Sequence, residues 1–328
     1  MSKPSTGTVL ITGANGSCAI PFISRIKNHY PHLKIIATVR NASPDDPNTA
    51  HLSSIIPPSS IEALDLSSLA AVNNFTAGLS RRIEEGDLPP LKAIVCNAFT
   101  MSLKDQVFTS DGFEQTFQVN HLAHYLLVLK LLGSMANDGR IVMLGSNAHY
   151  TDRKHPLFDI PVSIPNDIEK LVKPGRDAPG KEYSHGFQRY GVSKLANIMF
   201  MHDLNTRLAK NPKLSGITAI AMDPGGMVDS RAHKIQTPLI RFMFGLVLLL
   251  LPIVKHFTDE VRTSAQSGQE LAELAVGDEY KGTKGYFMGL RREKEDSICE
   301  DVKVRDVLWN ACWKWAGLKK EDTVLEEY

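Results

Sequence analysis

The sequence predicts an α/β fold in which a doubly wound, parallel sheet carries helices on both faces. Short apolar runs rich in β-branched residues alternate along the chain with amphipathic segments, as strands alternate with helices in βαβ units. The first run, at residues 8–11, is followed at once by a glycine-bearing turn and a helical segment. Polar or small residues follow each later run, where ligands bind in such sheets. We therefore expect a Rossmann-type sheet.

The elements follow one another in a regular order. The predicted strands are residues 8–11, 34–39, 61–64, 92–96, 140–144 and 217–222. The predicted helices are 20–28, 69–83 and 113–132, and a further helical segment opens at 189 and runs through 208. Right-handed crossovers place the carboxyl ends of all these strands at one edge of the sheet. That edge should carry Gly13, Arg40, Asp65, Asn97, Ser146 and Pro224.

Composition excludes several classes of protein. At 328 residues the chain could hold one large domain or two small ones, and we expect a single domain over 1–328. Its 37 Lys and Arg against 36 Asp and Glu leave a net charge of +1 and no basic stripe for a nucleic acid. Its four scattered cysteines are expected to be reduced structural thiols, and no metal site is predicted.

A cytoplasmic location is expected, because the N-terminus lacks the apolar core of a signal peptide. The most apolar stretch, 242–254, has 13 residues and is too short to cross a bilayer, which needs about 20. Three interpretations of 239–254 remain open. It could be a buried helix, an apolar lid over a large substrate, or a segment in shallow contact with a membrane.

The turn at residues 12–19, TGANGSCA, is typical of a phosphate-binding turn. Its glycines let the backbone approach a pyrophosphate, and the helix N-terminus offers N–H groups and partial positive charge. The end of the second strand indicates which dinucleotide binds. Arg40 stands there and no carboxylate follows until Asp45, which favours NADP(H) over NAD(H) unless Arg40 is only a solvated charge.

Tyr190 and Lys194 are four residues apart and therefore lie on one face of a helix. An ammonium beside a phenol should lower the tyrosine pKa from about 10 toward working pH. Such a tyrosine can give a proton to a carbonyl oxygen or take one from an alcohol. The alternative is an ordinary pair of surface neighbours.

Taken in order, these motifs resemble those of the short-chain dehydrogenase/reductase superfamily. They are TGANGSCA, DL at 65–66, NA at 97–98, FQVNHLAHYLL, GS at 145–146, YGVSK and DPGG. The run from Asp111 to Glu114 into FQVNHLAHYLL, and the C-terminal tail, are similar to the retinol dehydrogenase, protochlorophyllide reductase and carbonyl reductase-like branch.

The resemblance implies a role for each matching residue. Tyr190 would be the proton donor or acceptor, and Lys194 would hold the nicotinamide ribose. Ser146 would bind the substrate oxygen, and Asn120, at a break in its helix, would anchor a water. The implied NADP(H) contacts, besides Tyr190 and Lys194, are Thr12, Gly13, Asn15, Gly16, Ser17, Cys18, Ala19, Arg40, Asp65, Leu66, Asn97, Ala98, Pro224, Gly225, Val228 and Ser230.

The chain departs from the family pattern at several positions. Ser17 and Ala19 replace two turn glycines, and Phe99 replaces the last glycine of the Asn-Asn-Ala-Gly motif. Phe99 is expected to pack on the substrate side or in the pocket wall. Residues 150–186 form an insertion before the catalytic helix, and residues 227–257 resemble the substrate lid of the family.

The expected activity is NADPH-dependent reduction of a ketone or aldehyde, or the reverse oxidation, on a bulky apolar molecule. A polyketide, terpenoid, steroid or retinoid-like compound of secondary metabolism would fit. Isomerisation or dehydration on the same scaffold, and NADP(H) sensing without chemistry, remain alternatives. A monomer or a homodimer is expected.

Overall fold

A computed structural model describes residues 6–43, 45–152, 159–236, 238–254, 258 and 260–325. Its strands are β1 Gly7–Thr12, β2 Leu33–Val39, β3 Ile61–Ala63, β4 Leu91–Cys96, β5 Met135–Leu144, β6 Thr218–Asp223, β7 Gly226–Met227, β8 Val261–Arg262, β9 Gly285–Met288 and β10 Arg291–Arg292. Its helices are α1 Ala19–His29, α2 Pro47–Ser53, α3 Leu69–Glu84, α4 Gln115–Phe117, α5 Ala123–Leu131, α6 Glu182–Lys210, α7 Pro238–Leu249, α8 Leu251–Val254, α9 Ser264–Val276 and α10 Val302–Trp315.

The predicted fold class is confirmed. The main sheet of the described residues has the order β10-β9-β6-β5-β4-β1-β2-β3. All neighbouring strands are parallel except β9 and β10, so the prediction of a wholly parallel sheet missed one short antiparallel edge strand. The strand order reverses between β1 and β4, which opens a crevice at their carboxyl ends.

Each face of the sheet has its own hydrophobic core. Strands β1 and β6 are buried along their whole length, as expected for strands covered on both faces. On one face α1 and α9 pack together through Phe22 and Leu271. On the other face α3, α5, α6 and α10 enclose Leu126, Leu204 and Trp309. The crevice is thus supported from both sides by fully buried side chains.

The helix predicted at 113–132 is interrupted. Its first turn, α4, begins at Gln115, because the Glu114 carboxylate accepts the backbone N–H of Phe117 at 2.8 Å and caps the start. A π-helical turn, Gln118–Leu122, then separates α4 from α5 and contains Asn120. Such turns inside a helix are frequent at functional sites.

The helix that carries Tyr190 begins earlier than expected. Helix α6 starts at Glu182, so the end of the predicted insertion is already helical. Gly186 lies within this helix. Only glycine fits there, because a Cβ at this position would be 2.2 Å from the backbone oxygen of Ser102. The rest of the predicted insertion packs Val162 and Val172 into the core, and its residues 153–158 lie outside the described residues.

The predicted lid consists of β7, a 3₁₀ turn at Arg231–Ile235, α7 and α8. The interpretation of 239–254 as a buried helix is wrong, because Phe242 is 69% exposed and Leu249 is 77% exposed. Residues 237 and 255–257 of the predicted lid lie outside the described residues. Within the described ranges, no helix is long and apolar enough to span a membrane.

Candidate active site

A pocket of about 560 Å³ lies at the carboxyl ends of the strands, between the sheet edge, α6 and the lid. Its volume is within the range of small-molecule sites in proteins. One side of it is formed by the turn after β1 and the ends of β2, β4 and β5. The other side is formed by α6 and by residues of the lid that follow β6.

The floor of the pocket is the turn after β1. Gly13 has a φ of 63°, and a Cβ there would lie 2.8 Å from the Cα of Ala98, so this turn requires glycine. Asn97 fixes the turn by donating from Nδ2 to the carbonyls of Thr12, at 2.9 Å, and Gly13, at 3.1 Å. Two neighbouring loops are therefore held together by the residues that line the pocket.

The N-terminus of α1 faces this pocket through Asn15, Gly16, Ser17 and Cys18. None of the described side chains caps it, and its first turn holds no acidic residue. The first N–H groups of a helix have no partner within the helix, and its dipole favours an anion there. This end of the pocket is suited to a phosphate group.

Thr12 lies beneath the floor rather than in the pocket, and a buried histidine explains its position. His124 Nδ1 is 3.1 Å from the carbonyl of Asn120, which can only accept, so Nδ1 carries the proton. Burial lowers the pKa of His124 to about 4, so the ring is neutral and its Nε2 accepts from the Thr12 hydroxyl at 2.8 Å. The Thr12 oxygen in turn accepts the N–H groups of Asn97 and Ala98, both at 3.0 Å. Thr12 therefore positions the loop after β4.

Arg40, at the end of β2, is exposed and lines the pocket. Asp46 lines the same wall, but its Oδ1 accepts the N–H groups of Asn48 and Thr49 and caps α2. The carboxylate is thus engaged with the backbone, whereas the guanidinium is available at the pocket wall. A cation at this place is suited to a second anionic group.

Tyr190, Ser146 and Lys194 meet at the centre of the pocket. The Ser146 hydroxyl lies near that of Tyr190, where it lowers the tyrosine pKa. The ammonium of Lys194 donates to the carbonyl of Leu144 at 2.9 Å and lies 5.4 Å from the centroid of the Tyr190 ring. The three side chains come from the end of β5 and from one face of α6, as the four-residue spacing predicts.

The expectation that the tyrosine pKa is lowered is wrong for this structure. Desolvation raises the pKa of Tyr190 to about 12, and the hydrogen bond from Ser146 only partly opposes this. Burial also lowers the pKa of Lys194 to about 8, against an opposing effect of Asp223. Desolvation therefore dominates the Tyr190 pKa, and the phenol is protonated at neutral pH.

Asp223, the last residue of β6, was not predicted as a site residue. It lines the pocket, and its Oδ1 accepts the N–H of Gly225 at 2.7 Å. Its Oδ2 accepts from the hydroxyl of Tyr286 at 3.3 Å. Burial raises the pKa of this carboxyl, while these hydrogen bonds and the charge of Lys194 lower it. Its place at a strand's carboxyl end, one residue before Pro224, was the signal that could have identified it.

Asn120 is buried beside the pocket, and its side-chain amide is hydrogen-bonded to other residues of the chain. Its Oδ1 accepts the N–H of Thr100 at 2.7 Å, and its Nδ2 donates to the Thr100 carbonyl at 3.0 Å. Nδ2 also donates to the hydroxyl of Ser193 at 3.0 Å, and Ser193 donates to the carbonyl of Tyr190 at 2.7 Å. Asn120 thus joins the loop after β4 to the turn of α6 that carries Tyr190.

The outer half of the pocket is apolar. Phe99 lines it, with its ring centroid 6.0 Å from that of Tyr190, so its predicted wall position agrees with the structure. Phe187 of α6 and Phe244 of α7 also line it. Phe244 stacks on His233 with a centroid distance of 3.7 Å, which fixes the lid helix over the pocket. This half of the pocket is suited to an apolar ligand.

Comparisons with known proteins agree with this geometry. Residues 231–325 match a family model described as the AcuH dehydrogenase domain. The chain is 29% identical to the short-chain dehydrogenase iccH of Talaromyces variabilis over 98% of this chain and 99% of that protein. It is 27% identical to rice protochlorophyllide reductase B over 79% of this chain and 65% of that protein.

Solved structures share the fold. The angucycline C-6 ketoreductase LanV with bound NADP superimposes with a TM-score of 0.56 and 19% identity, covering 87% of this chain and 95% of LanV. The NADPH-bound carbonyl reductase from chicken fatty liver does so with a TM-score of 0.57 and 15% identity, covering 89% and 99%. The chain is a short-chain dehydrogenase/reductase. The family predicted from the motifs is confirmed.

In this short-chain dehydrogenase/reductase most of the predicted site residues line one pocket. They are Gly13, Asn15, Gly16, Ser17, Cys18, Arg40, Asp65, Leu66, Asn97, Ala98, Ser146, Tyr190, Lys194, Pro224, Gly225 and Ser230. Four predicted residues do not line it, namely Thr12, Ala19, Asn120 and Val228. Ala19 is buried at the start of α1, and the N–H of Val228 donates to the carbonyl of Arg262 at 3.1 Å.

Sequence reasoning also missed His124, although it lies within the quoted FQVNHLAHYLL motif. It stands one helical turn after Asn120, a spacing that could have suggested the contact between them. Phe187 and Phe244 gave no such signal, because single aromatic residues in helices are usually core. Among the residues that the structure describes, no group of three or more His, Cys, Asp or Glu could hold a metal ion.

Proposed function

We propose that this short-chain dehydrogenase/reductase is an NADP(H)-dependent oxidoreductase that reduces the carbonyl group of a bulky apolar molecule. The observation that carries the proposal is the placement of Tyr190, Ser146 and Lys194 together in a pocket that is polar at one end and lined by aromatic side chains at the other. NADP and NADPH are named with the similar structures LanV and chicken carbonyl reductase.

The residues present fit this cofactor. The uncapped N-terminus of α1 and the turn at Gly13 would hold the pyrophosphate, and Arg40 would pair with the 2′-phosphate. Asp65, after β3, and Asn97, after β4, would border the adenosine and the nicotinamide ribose. Bound NADPH supplies the hydride that reduces a carbonyl carbon.

The protein's own groups supply the proton and orient the oxygen. Tyr190 is the general acid, since its raised pKa keeps the phenol protonated at neutral pH. Ser146, which lines the pocket with Tyr190, is placed to donate to the same substrate oxygen. Lys194 stays cationic below about pH 8 and stabilises the phenolate that forms when Tyr190 gives up its proton.

The substrate class rests on the outer half of the pocket. Phe99, Phe187 and Phe244 offer aromatic walls, and few charged groups reach them. LanV, whose fold is similar, is named as an angucycline C-6 ketoreductase, which supports a ketone substrate. A polyketide, terpenoid, steroid or retinoid-like ketone or aldehyde fits this site, and a monomer or homodimer is proposed for the enzyme.

The first test measures loss of reduced-nicotinamide absorbance with purified protein, NADPH or NADH, and a panel of polycyclic and isoprenoid ketones. We expect consumption of NADPH. NADH should be consumed much more slowly, because it lacks the 2′-phosphate that Arg40 would bind. Tight NADPH binding with no consumption across the panel would overturn the reductase proposal. Product formation without net NADPH consumption would instead indicate isomerisation or dehydration.

A further inference from the structure

The lid helix has an unusual outer surface. Of the twelve large hydrophobic side chains that are exposed in the described residues, seven lie between 242 and 253. We call this set the outer lid face; it consists of Phe242, Met243, Leu246, Leu248, Leu249, Leu250 and Ile253. The remaining five are scattered over other parts of the chain. Contiguous apolar patches on a protein surface usually mark an interaction site.

The opposite side of the same helix already has a partner within the chain. Ile240, Phe244 and Val247 are partly covered, and Phe244 lines the pocket and stacks on His233. The helix is therefore apolar around its whole circumference, although only one side packs on the protein. Helices of this composition are ordinarily buried on all sides. The outer lid face is thus suited to an apolar environment that the chain itself does not provide.

Charge indicates which environment this is. From 230 to 258 the sequence contains Arg231, Lys234, Arg241 and Lys255 but no Asp or Glu, in a chain whose net charge is only +1. Arg241 is exposed directly beside Phe242. The charged residues within this segment are all cationic, and Asp229, Asp259 and Glu260 lie just outside it. A leucine-rich surface that carries basic residues complements an anionic lipid surface. Binding of the outer lid face to an apolar surface on a second copy of this chain would not require an excess of basic residues.

The dimensions agree with a helix that lies on a membrane. The twelve residues of α7 span about 18 Å, well short of the hydrocarbon core of a bilayer. A helix of this length can lie in the plane of the headgroups with its apolar face in the acyl boundary and its basic residues at the phosphates. We propose that the outer lid face docks on an anionic membrane surface.

Docking would place the mouth of the pocket at the membrane. Phe244 on one side of α7 and Leu246 and Leu249 on the other are separated only by the thickness of the helix. An apolar substrate dissolved in the lipid would then enter the pocket beside the lid without crossing water. This second part rests on the proposed reductase function, whereas docking itself does not.

Docking is tested by co-sedimentation with phosphatidylcholine vesicles that contain or lack phosphatidylserine, with neither NADPH nor ketone present. We expect binding to the anionic vesicles and a decrease of about tenfold or more in partitioning for the double variant Leu246→Ser and Leu249→Ser. The matched control is Val302→Ser with Val307→Ser, two valines of similar exposure on α10. The control should bind as the unchanged protein does.

Two further measurements establish which surface of the protein touches the lipid. Phe242→Trp should show a blue-shifted emission with anionic vesicles that the unchanged protein lacks, and Arg241→Glu should weaken binding more at low salt than at high salt. Equal thermal unfolding of all variants ensures that only the lid surface differs between them. Vesicle binding unaffected by the Leu246→Ser and Leu249→Ser pair would overturn the proposal.

Self-association is the alternative to membrane docking. If sedimentation equilibrium shows a dimer that the two serine substitutions dissociate, and no vesicle binds, the outer lid face is an interface between copies and the membrane proposal is wrong. Failure of vesicle binding with intact ketone reduction would overturn docking and leave the enzymatic proposal standing. Vesicle binding without any ketone reduction would support docking and overturn the enzymatic proposal.

Discussion

The two sides of the pocket are stabilised in different ways. On the sheet side, Thr12, Asn97 and His124 satisfy one another and the backbone by hydrogen bonds of 2.8 to 3.1 Å, all of them within the fold. On the lid side, α7 contributes Phe244 to the pocket and directs leucines toward solvent. The sheet side is therefore satisfied within the chain, whereas the lid side leaves an apolar surface exposed.

The largest expected effect comes from Tyr190 of α6, between the two sides of the pocket. Tyr190→Phe removes the proton donor but keeps the ring, so kcat for ketone reduction should fall by about 10²- to 10⁴-fold. NADPH binding, followed by fluorescence titration, should change little. Tyr280→Phe, on a tyrosine that does not line the pocket, is the control and should retain full activity. A kcat of Tyr190→Phe near that of the control would exclude Tyr190 as the acid.

Stability should distinguish the two sides next. Leu271 of α9 is fully buried. Leu271→Ala should lower the free energy of unfolding by about 2–5 kcal/mol, because it leaves a cavity. Leu249→Ala removes the same atoms from a side chain that is 77% exposed, so its cost should stay within about 0.5 kcal/mol. Urea denaturation with unchanged slopes measures both. A large loss for Leu249→Ala would show that this leucine packs against the protein in solution.

Cofactor preference should change at the end of β2. Arg40→Asp removes a charge-assisted contact, so the Kd for NADPH should rise about ten- to hundredfold while that for NADH changes little. Arg81→Asp, an equally exposed arginine on α3, is the charge-matched control. If both variants weaken NADPH binding to the same extent, the effect comes from net charge rather than from contact with the 2′-phosphate.

The smallest expected effect concerns pH. Because burial lowers the pKa of Lys194 to about 8, its positive charge is present below that pH and is lost above it. Tyr190 stays protonated far beyond this range, so kcat/KM for reduction should decline as the pH rises through about 8. Lys194→Arg keeps the charge and should move the decline to higher pH. A profile that is flat up to about pH 9.5 in the unchanged enzyme would contradict the lowered pKa.

The sheet side of the pocket and the Tyr190–Lys194 pair of α6 could be predicted because their determinants are local. Glycine at 13, an arginine directly after β2 and a tyrosine four residues before a lysine each follow from turn geometry or helical spacing. The tyrosine pKa could not be predicted from the same pair. It depends chiefly on desolvation and also on the charge of Asp223, and residues far away in sequence, such as Phe99, close the pocket around the phenol.

The lid could be located from the sequence but not interpreted. A run such as LVLLLL has the same composition whether it is buried in a core, laid over a substrate or placed on a lipid surface. Only the positions of Phe244 toward the pocket and Leu249 toward solvent distinguish the first of these from the others. The hydrogen bonds of Thr12 and Asn120 could not be predicted for a related reason, because their partners come from distant parts of the chain.

The length of α6 has a consequence for how the protein folds. This helix holds Tyr190 and Lys194 near its middle and, farther along, Asp203, whose carboxylate lies 3.2 Å from Arg305 of α10. Trp309 of α10 stacks on Phe200 of the same helix. Helix α10 leaves the ribosome about a hundred residues after α6. During synthesis α6 therefore lacks its contacts with α10 until that helix has been made. We expect the catalytic tyrosine to reach its final position only late in folding, so that a nascent chain stalled before α10 would be inactive even with every pocket residue already made.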